Sequence, residues 1–423
     1  MTLLRRMKPE DVPAARVALP DAETRREAGR IVEDVRARGE TALLEHAFRL
    51  GDIGPQDRLV WDKPALAGAL GQLPAAERAV LERTADRIRT FAEAQRAALA
   101  DVAVPVPGGR AGHTVAPVDR AGCYAPGGRF PLPSSVLMTA VTARAAGVPS
   151  VWVASPKPAL ATLAAAAVAG ADGLLAAGGP HAIAALAFGA GAVPRCDLIA
   201  GPGNRWVTAA KQIVGGRVGV DMVAGPSELL VLADDTADAD TVAADLLAQA
   251  EHDPDAVPLL VTTSERLVEE VDAAIARRQA TLGTAATARE ALQRNGGAVV
   301  VGSLEEGADV CNRLAPEHLQ VMTADPREAA GLLRHYGALF LGRHAAEVLG
   351  DYGAGPNHVL PTGGAARFSG GLSVFTFLRV RTWLEIDDAC AAQAMVEDAV
   401  ALGRMEGLEG HAAAARCRLE GRG

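Results

Sequence analysis

The chain has 423 residues, too many for one ordinary core, and a typical domain size of roughly 150 residues predicts two or three domains. Hydrophobic residues make up 49% of the chain, charged residues 22% and aromatic residues only 4%, which favours tightly packed, helix-rich layers over a sandwich of aromatic strands. The formal net charge is −9 and no segment concentrates lysine and arginine, so we expect a small-molecule partner, with no nucleic acid and no membrane.

The cellular compartment follows from the amino terminus, the apolar stretches and the cysteines. Arg5 and Arg6 precede any apolar core of signal-peptide length, so secretion is not expected. The most apolar region, Pro158 to Val193, is broken by Asp172, a glycine turn and His181, and does not predict a membrane span. The cysteines are scattered without a Cys-x-x-Cys pair, which predicts reduced thiols in a cytoplasmic protein. They are Cys123, Cys196, Cys311, Cys390 and Cys417.

In chain order, residues 21–99 show mainly amphipathic helix, and from Ala121 short apolar strands alternate with helices. This alternation predicts parallel sheets covered by helices, and after about Leu372 the pattern becomes helical. The fold class expected is therefore α/β, with two Rossmann-like parallel-sheet α/β/α domains and small helical N- and C-terminal elements. The predicted strands are 150–154, 172–176, 197–200, 217–220, 229–233, 259–262, 298–301, 319–323 and 338–341.

Three glycine-proline turns precede helices or strands, at Tyr124–Gly128, Gly201–Asn204 and Ala224–Glu228. Backbone N–H groups in such turns can hold an anion, but a single turn of this kind is more often an ordinary strand-to-helix connection. The fingerprint G-x-G-x-x-G is absent from a suitable position. A nucleotide, if bound, is therefore held in another way.

Several polar clusters are candidates for a chemical site. Gln249 and His252 share one helical face and could bind one metal ion, although such a pair is more often an ordinary helix end. Glu317 and His318 stand just before a strand, where a carboxylate and an imidazole can work as base and acid. The stretch Gly350–Thr362 sets polar groups among glycines, as functional loops commonly do.

Taken together and in this order, these segments resemble the histidinol dehydrogenase family, and the match spans nearly the whole chain. The run from Gly178 to Gly189, the segment Phe368–Val374 and the terminal Glu406–His411 complete the resemblance. So many ordered motifs make chance similarity implausible. The other matching segments are Tyr124–Pro133, Gly201–Lys211, Ala224–Leu229, Gln249–Asp253, Pro316–Leu319 and Gly350–Thr362.

The resemblance implies a zinc- and NAD-dependent oxidation of L-histidinol through histidinal to L-histidine, with each role carried by matching positions. The implied zinc ligands are Gln249, His252, Asp351 and His411, a nitrogen and oxygen set that suits zinc. The implied NAD contacts are Tyr124, His181 and Asn204, and the implied base and acid are Glu317 and His318. The implied substrate contacts are Ser227, Gln249, His252, His318, Asp351, His358, Glu406 and His411.

The resemblance also implies a homodimer whose C-terminal tail is exchanged, so that Glu406 and His411 serve the neighbouring subunit's site. The predicted boundaries are an N-terminal element 1–18, a first α/β domain 19–123 with 227–372 carrying the zinc and catalytic site, an NAD-binding domain 124–226, and a tail 373–423. One departure is His181, where the family usually has glutamine. Both side chains can form hydrogen bonds, so we expect altered NAD affinity with activity retained.

In the implied mechanism His318 takes the hydroxyl proton as hydride leaves, and Glu317 activates the water that hydrates the aldehyde. Other readings are a related dehydrogenase of another small alcohol such as sulfopropanediol, a zinc-dependent hydrolase in which Glu317 activates water, and a non-catalytic binding protein. Glu406 and His411 favour the amino alcohol over other alcohols. NADH formation separates the dehydrogenase from the hydrolase.

Overall fold

A computed structural model describes residues 3–12, 20–127, 130–222 and 225–420. The chain divides into two compact units. The first comprises the residues up to Ala94 together with Val118–Phe377, and the second comprises Gln95–Pro117 and the residues from Leu378 onward. In the described part of the chain, no helix has the length and apolarity that a bilayer crossing requires.

Helices alternate with strands through most of the first unit. The helices are α1 Ala22–Arg38, α2 Glu40–Arg49, α3 Lys63–Gln72, α4 Ala75–Ala97, α5 Pro133–Ala145, α6 Leu160–Val168, α7 Gly179–Phe188, α8 Arg205–Val214, α9 Ala239–Ala250, α10 Glu265–Gln279, α11 Ala285–Asn295, α12 Leu304–Leu314, α13 Pro326–Ala330, α14 Glu347–Asp351, α15 Gln393–Met405 and α16 Glu409–Glu420. The strands are β1 Arg5–Met7, β2 Val60–Asp62, β3 Val102–Val106, β4 Gly109–Pro117, β5 Arg120–Tyr124, β6 Ser150–Ala154, β7 Gly173–Leu175, β8 Leu198–Ala200, β9 Gly219–Val220, β10 Glu228–Ala233, β11 Val257–Thr262, β12 Gly297–Val300, β13 His318–Met322, β14 Ala338–Leu341 and β15 Leu378–Ile386.

The first sheet has the strand order β2-β7-β6-β5-β8-β9, parallel except for β2. Strands β5, β6 and β7 run outward on one side, and the chain then returns to place β8 on the other side of β5. The strand order therefore reverses between β5 and β8, which is where α/β sheets commonly bind ligands. Helices α1 and α7 pack together, and α3 packs on α6.

The second sheet has the order β1-β12-β11-β10-β13-β14 and is parallel throughout. Both of its faces are buried, because alternate residues of β10 enter two different apolar clusters: Leu229 and Val231 lie in one, and Leu230 and Leu232 in the other. This burial explains the unbroken apolar runs of its strands. Two parallel α/β layers were predicted from the sequence, and both are confirmed.

The second unit differs from the expected helical tail. Strand β15 pairs antiparallel with β4 from Leu378 opposite Pro117 to Ile386 opposite Gly109, and β3 completes a three-stranded sheet. Helices α15 and α16 then pack on each other. The prediction of a purely helical C-terminal element was wrong, because the edge of β4 is paired by a strand.

The N-terminal element also contains a strand, because Arg5–Met7 pairs with β12 and extends the second sheet. Residues 1, 2 and 13–19 of the predicted elements lie outside the described part of the chain, as do Gly128 and Ala224 of two glycine turns. The predicted domain boundaries stay predictions.

Candidate active site

Buried polar groups gather where β10 and β13 begin. The two strands are neighbours with Leu229 opposite His318, so Glu228 and Glu317 lie side by side just before that pair. Glu317 and His318 are buried, with exposed fractions of 5% and 3%. The peptide N–H of Glu228 donates to Glu317 Oε2 at 2.9 Å, and the Ser227 hydroxyl also hydrogen-bonds this carboxylate. Glu228 thus lies beside Glu317 and His318, whose roles as base and acid stay predictions.

The imidazole of His318 is surrounded by acceptors. Its Nδ1 lies 3.0 Å from the Glu228 carbonyl oxygen and 3.7 Å from Glu317 Oε2, and its Nε2 lies 3.7 Å from Asp351 Oδ1. Burial alone lowers the pKa of His318, but the negative charges of Glu317, Glu347 and Asp351 outweigh it and raise the pKa to about 10. Among the described residues Nε2 has no hydrogen-bond partner.

The side chains that could hold a metal ion lie beside His318. One nitrogen of His252 and one carboxylate oxygen each of Glu347 and Asp351 all lie within 4.8 Å of one another. Gln249 on α9 is fully buried, and within the described ranges neither its amide oxygen nor its amide nitrogen has a partner. A buried amide without a partner is costly, and a cation would give the amide oxygen a partner. These groups fit the implied zinc ion.

His358 and Asp351 are linked through the backbone of the glycine-rich segment 350–362. His358 Nδ1 lies 2.9 Å from the Asp351 carbonyl oxygen, and its Nε2 lies 3.3 Å from the Ser135 hydroxyl. Burial lowers the pKa of His358. Burial alone would raise the pKa of Asp351, but the positive charge of His318, whose Nε2 lies 3.7 Å from Asp351 Oδ1, lowers it, which keeps the carboxylate ionised.

A pocket lies at the carboxyl ends of the first-sheet strands, where the strand order reverses. Tyr124 ends β5, Asn204 follows β8, and both line this pocket together with His181. Gly201 has φ +125°, and a Cβ there would stand 2.0 Å from the Tyr124 carbonyl oxygen, so only glycine fits this turn. The cations Arg49 and Lys157 also line the pocket.

His181 is fully buried in this pocket wall. Its Nε2 lies 2.8 Å from Asp52 Oδ2, which also accepts from the Gly178 N–H at 2.7 Å. The Tyr124 hydroxyl accepts from the Gly179 N–H at 3.2 Å. The three residues predicted to contact NAD therefore line one pocket.

Comparison with known proteins decides the family. The family model described as histidinol dehydrogenase matches residues 15–419. The chain is 42% identical over 399 residues to the histidinol dehydrogenase of Bordetella parapertussis, covering 93% of this chain and 90% of the relative. The chain belongs to the histidinol dehydrogenase family. The crystal structure of the Elizabethkingia anophelis histidinol dehydrogenase superposes with a TM-score of 0.92 at 28% identity, covering 99% of each chain.

Two residues that the family resemblance implies at the site lie in the second unit. Glu406 follows α15 and His411 is in the first turn of α16, where both side chains are exposed. The Leu408 carbonyl accepts from the His411 N–H at 3.0 Å, so the chain turns sharply between the two helices. Their part in the histidinol dehydrogenase site stays a prediction.

Three acidic residues of the two sites were not predicted from the sequence. Glu347 stands one helical turn before Asp351 on α14, a spacing that would have placed it on the same face. Glu228 ends the glycine-proline turn 224–228, and only its position beside Glu317 in the folded chain shows that it belongs to the site. The sequence around Asp52 does not predict it as a site residue, because its partner His181 lies far away along the chain.

Proposed function

We propose that this chain oxidises L-histidinol to L-histidine through histidinal, with NAD as oxidant and zinc as the resident ion. The observation that supports this most directly is the arrangement around His318. Its Nδ1 is directed to a backbone carbonyl and its Nε2 to Asp351, beside Glu317 and the donor atoms of His252 and Asp351. Family membership supports the same reaction.

The ligand set proposed for zinc is Gln249, His252 and Asp351 with His411 of the partner subunit. When bound, zinc supplies an anchor for the imidazole and amino nitrogens of the substrate and a positive charge that opposes the raised pKa of His318. Glu347 adds a further carboxylate within reach of the same position.

His318 serves as the base that takes the hydroxyl proton while a hydride leaves the carbinol carbon. The Glu228 carbonyl accepts a hydrogen bond from the Nδ1–H group, which keeps Nε2 as the reactive nitrogen. Glu317 serves as the base for the water that hydrates the aldehyde, because burial raises its pKa toward the working pH. Ser227 and His358 bind the substrate in this proposal, since each contacts the same cluster.

NAD, which accepts the hydride, is proposed to bind in the pocket lined by Tyr124, His181 and Asn204. The position of this pocket at the reversal point of the first sheet supports a dinucleotide there. Arg49 and Lys157 supply positive charge for the phosphates.

A homodimer with exchanged C-terminal tails would bring Glu406 and His411 of the partner subunit to the substrate. Exposed apolar side chains of the second unit support a partner copy, because Leu384 is 63% and Met405 82% exposed.

All five cysteines are free, which supports the proposed location in a reducing cytoplasm.

The test is to give purified, zinc-loaded protein L-histidinol and NAD and to measure NADH and histidine. Oxidation of an alcohol to an acid removes four electrons, so two NADH should form for each histidinol consumed. One NADH with accumulating aldehyde would contradict the second oxidation. No NADH, with or without hydrolysis of other substrates, would refute the proposed function.

A further inference from the structure

Glu228 contacts both proposed catalytic side chains through its main chain and a site loop through its side chain. Its peptide N–H donates to Glu317 Oε2 at 2.9 Å, and its carbonyl oxygen lies 3.0 Å from His318 Nδ1. Because these are backbone contacts, they depend on how firmly the start of β10 is held against the start of β13. The side chain of Glu228 helps to fix the start of β10 against the start of β13.

The Glu228 carboxylate accepts two peptide N–H groups from different segments. Oε2 accepts from the N–H of Glu317 at 3.3 Å, so Glu228 and Glu317 each hold the other's peptide group. Oε1 accepts from the N–H of Gly363 at 2.9 Å. Gly363 has φ +63° and directly follows the segment 350–362, which carries Asp351 and His358. One carboxylate thus ties β10, β13 and the site loop together.

We propose that Glu228 is a positioning residue for the second oxidation, acting through Glu317. The proposal rests on the role of Glu317 given under Proposed function. Both carboxylate oxygens of Glu228 are needed as acceptors, because each accepts a hydrogen bond from a different peptide N–H group. An amide of the same shape presents an NH₂ group to one of these donors, so one peptide group loses its acceptor and the start of β13 or the loop at Gly363 shifts.

The test compares Glu228→Gln with Glu306→Gln. Glu306 is a matched control, because its Oε2 also accepts a peptide N–H, from Gly302 at 2.7 Å, but on the exposed start of α12. In Glu228→Gln we expect kcat with histidinal to fall by about tenfold or more, the size of effect that small displacements of reacting groups produce. KM for NAD and the zinc content should stay as in the parent protein, and Glu306→Gln should behave like the parent.

A double variant shows whether Glu228 acts through Glu317. If it does, Glu228→Gln should add little to the loss of kcat already caused by Glu317→Gln, since the carboxylate being positioned is gone. Glu228→Asp, which keeps two acceptor oxygens, should lose less activity than Glu228→Gln. Fully multiplicative losses in the double variant would overturn the proposal.

Amide hydrogen exchange gives a readout that needs no activity. The segments that contain Glu317 and Gly363 should exchange faster in Glu228→Gln and at the parent rate in Glu306→Gln. Unchanged exchange in both segments would overturn the positioning role even if kcat falls. If the parent protein makes no NADH from histidinol, the proposed function fails, and the exchange rates still decide whether Glu228 holds these two segments.

Discussion

The imidazole of His318 lies 3.7–3.8 Å from carboxylate oxygens of Glu317, Glu347 and Asp351. Three acids around one buried imidazole favour its protonated form, and the pKa is raised to about 10. A base must be neutral when it accepts a proton, so the cluster needs a further positive charge to work near neutral pH. That charge would reside at the donor atoms of His252 and Asp351 and at the amide oxygen of Gln249, which has no partner within the ranges that the structure describes.

Replacing a metal ligand should therefore remove the ion and the activity together. We expect His252→Ala or Asp351→Ala to weaken zinc binding by more than the roughly 10- to 100-fold seen when a residue behind the ligands is changed. Zinc content after dialysis and NADH formation measure the two effects. His344→Ala changes an exposed histidine and serves as control. A zinc-free His252→Ala variant with full activity would refute the ligand assignment.

His181 offers a second residue-scale prediction, since it replaces the glutamine expected at this position of the family. Removing one hydrogen-bonding side chain from the pocket should raise KM for NAD about two- to tenfold in His181→Ala and leave kcat nearly unchanged. His181→Gln should stay closer to the parent, because an amide can still donate to Asp52. An unaltered KM in His181→Ala would show that this side chain has no part in NAD binding.

The site residues that the sequence predicts are those whose type and order match family motifs, such as Glu317, His318 and Asp351. Asp52 was missed for a physical reason, because its partner is brought near only by folding, whereas Glu347, four residues before Asp351 on α14, has a spacing that could have revealed it. Asp52 follows α2, whereas His181 is on α7, and only the packing of α2 on α7 joins them. Sequence spacing carries no signal for such pairs.

At the scale of elements, the N-terminus of α8 lies at the pocket proposed to bind NAD. Asn204 is its N-cap, with Oδ1 accepting from the N–H groups of Trp206 and Val207 at 3.1 and 3.2 Å. Its side-chain NH₂ group is the donor that Asn204 could offer to a ligand in the pocket that it lines. One residue thus ends the turn, starts the helix and faces the pocket.

These two roles of Asn204 can be separated. Asn204→Ala should lose the cap, at a cost of about 1 kcal/mol in the free energy of unfolding, and should raise KM for NAD. Asn204→Asp should keep the cap and the stability, because aspartate caps as well as asparagine, but should still raise KM since the NH₂ donor is gone. Thermal unfolding and initial rates measure both effects.

The control for Asn204 is Asp238→Ala, which removes the cap of α9, where Asp238 accepts from the Thr241 N–H at 2.8 Å. It should lose comparable stability and leave KM for NAD unchanged. A normal KM in Asn204→Asp would mean that the residue only caps the helix.

Element prediction succeeded where the hydrophobic period was strong and failed in the second unit. Strands β6 to β14 were located because buried parallel strands are short apolar runs, whereas β1, β2 and β5 of the same two sheets were not among the predicted strands. Strand β15 was missed although Leu378, Val380, Leu384 and Ile386 alternate with polar or aromatic residues, the period of a strand. The helical pattern that follows masked this signal, and its partner β4 lies far away in the sequence.

For the whole molecule, the two sheets of the first unit place their sites at different strand ends. The pocket proposed to bind NAD lies at the carboxyl ends of β5 and β8, where the general rule for such sheets places ligands. Glu228 and Glu317 instead stand at the amino ends of β10 and β13. The topology thus predicts the first site, whereas the second is found only through its side chains.

The proposed exchange of tails would be a property of an assembled pair of subunits, and mixing two inactive variants tests it. If His411 serves the neighbouring site, a mixed dimer of His252→Ala and His411→Ala chains has one site with both defects and one intact site. Random pairing of equal amounts should then restore about a quarter of the parent activity, because half of the dimers are mixed and half of their sites are intact. If each tail serves its own chain, every site keeps one of the two substitutions and the mixture stays inactive.

The control is a mixture of His252→Ala with Asp351→Ala. Both changes lie in the first unit, so every site in a mixed dimer carries one of them whichever subunit supplies the tail. This mixture should stay inactive after the same unfolding and refolding that exchanges subunits. Activity restored only in the mixture that contains His411→Ala would require a site shared between subunits. Mass spectrometry verifies that the subunits have exchanged. If they have and neither mixture recovers activity, the tail exchange is contradicted, while the other proposed zinc ligands are unaffected.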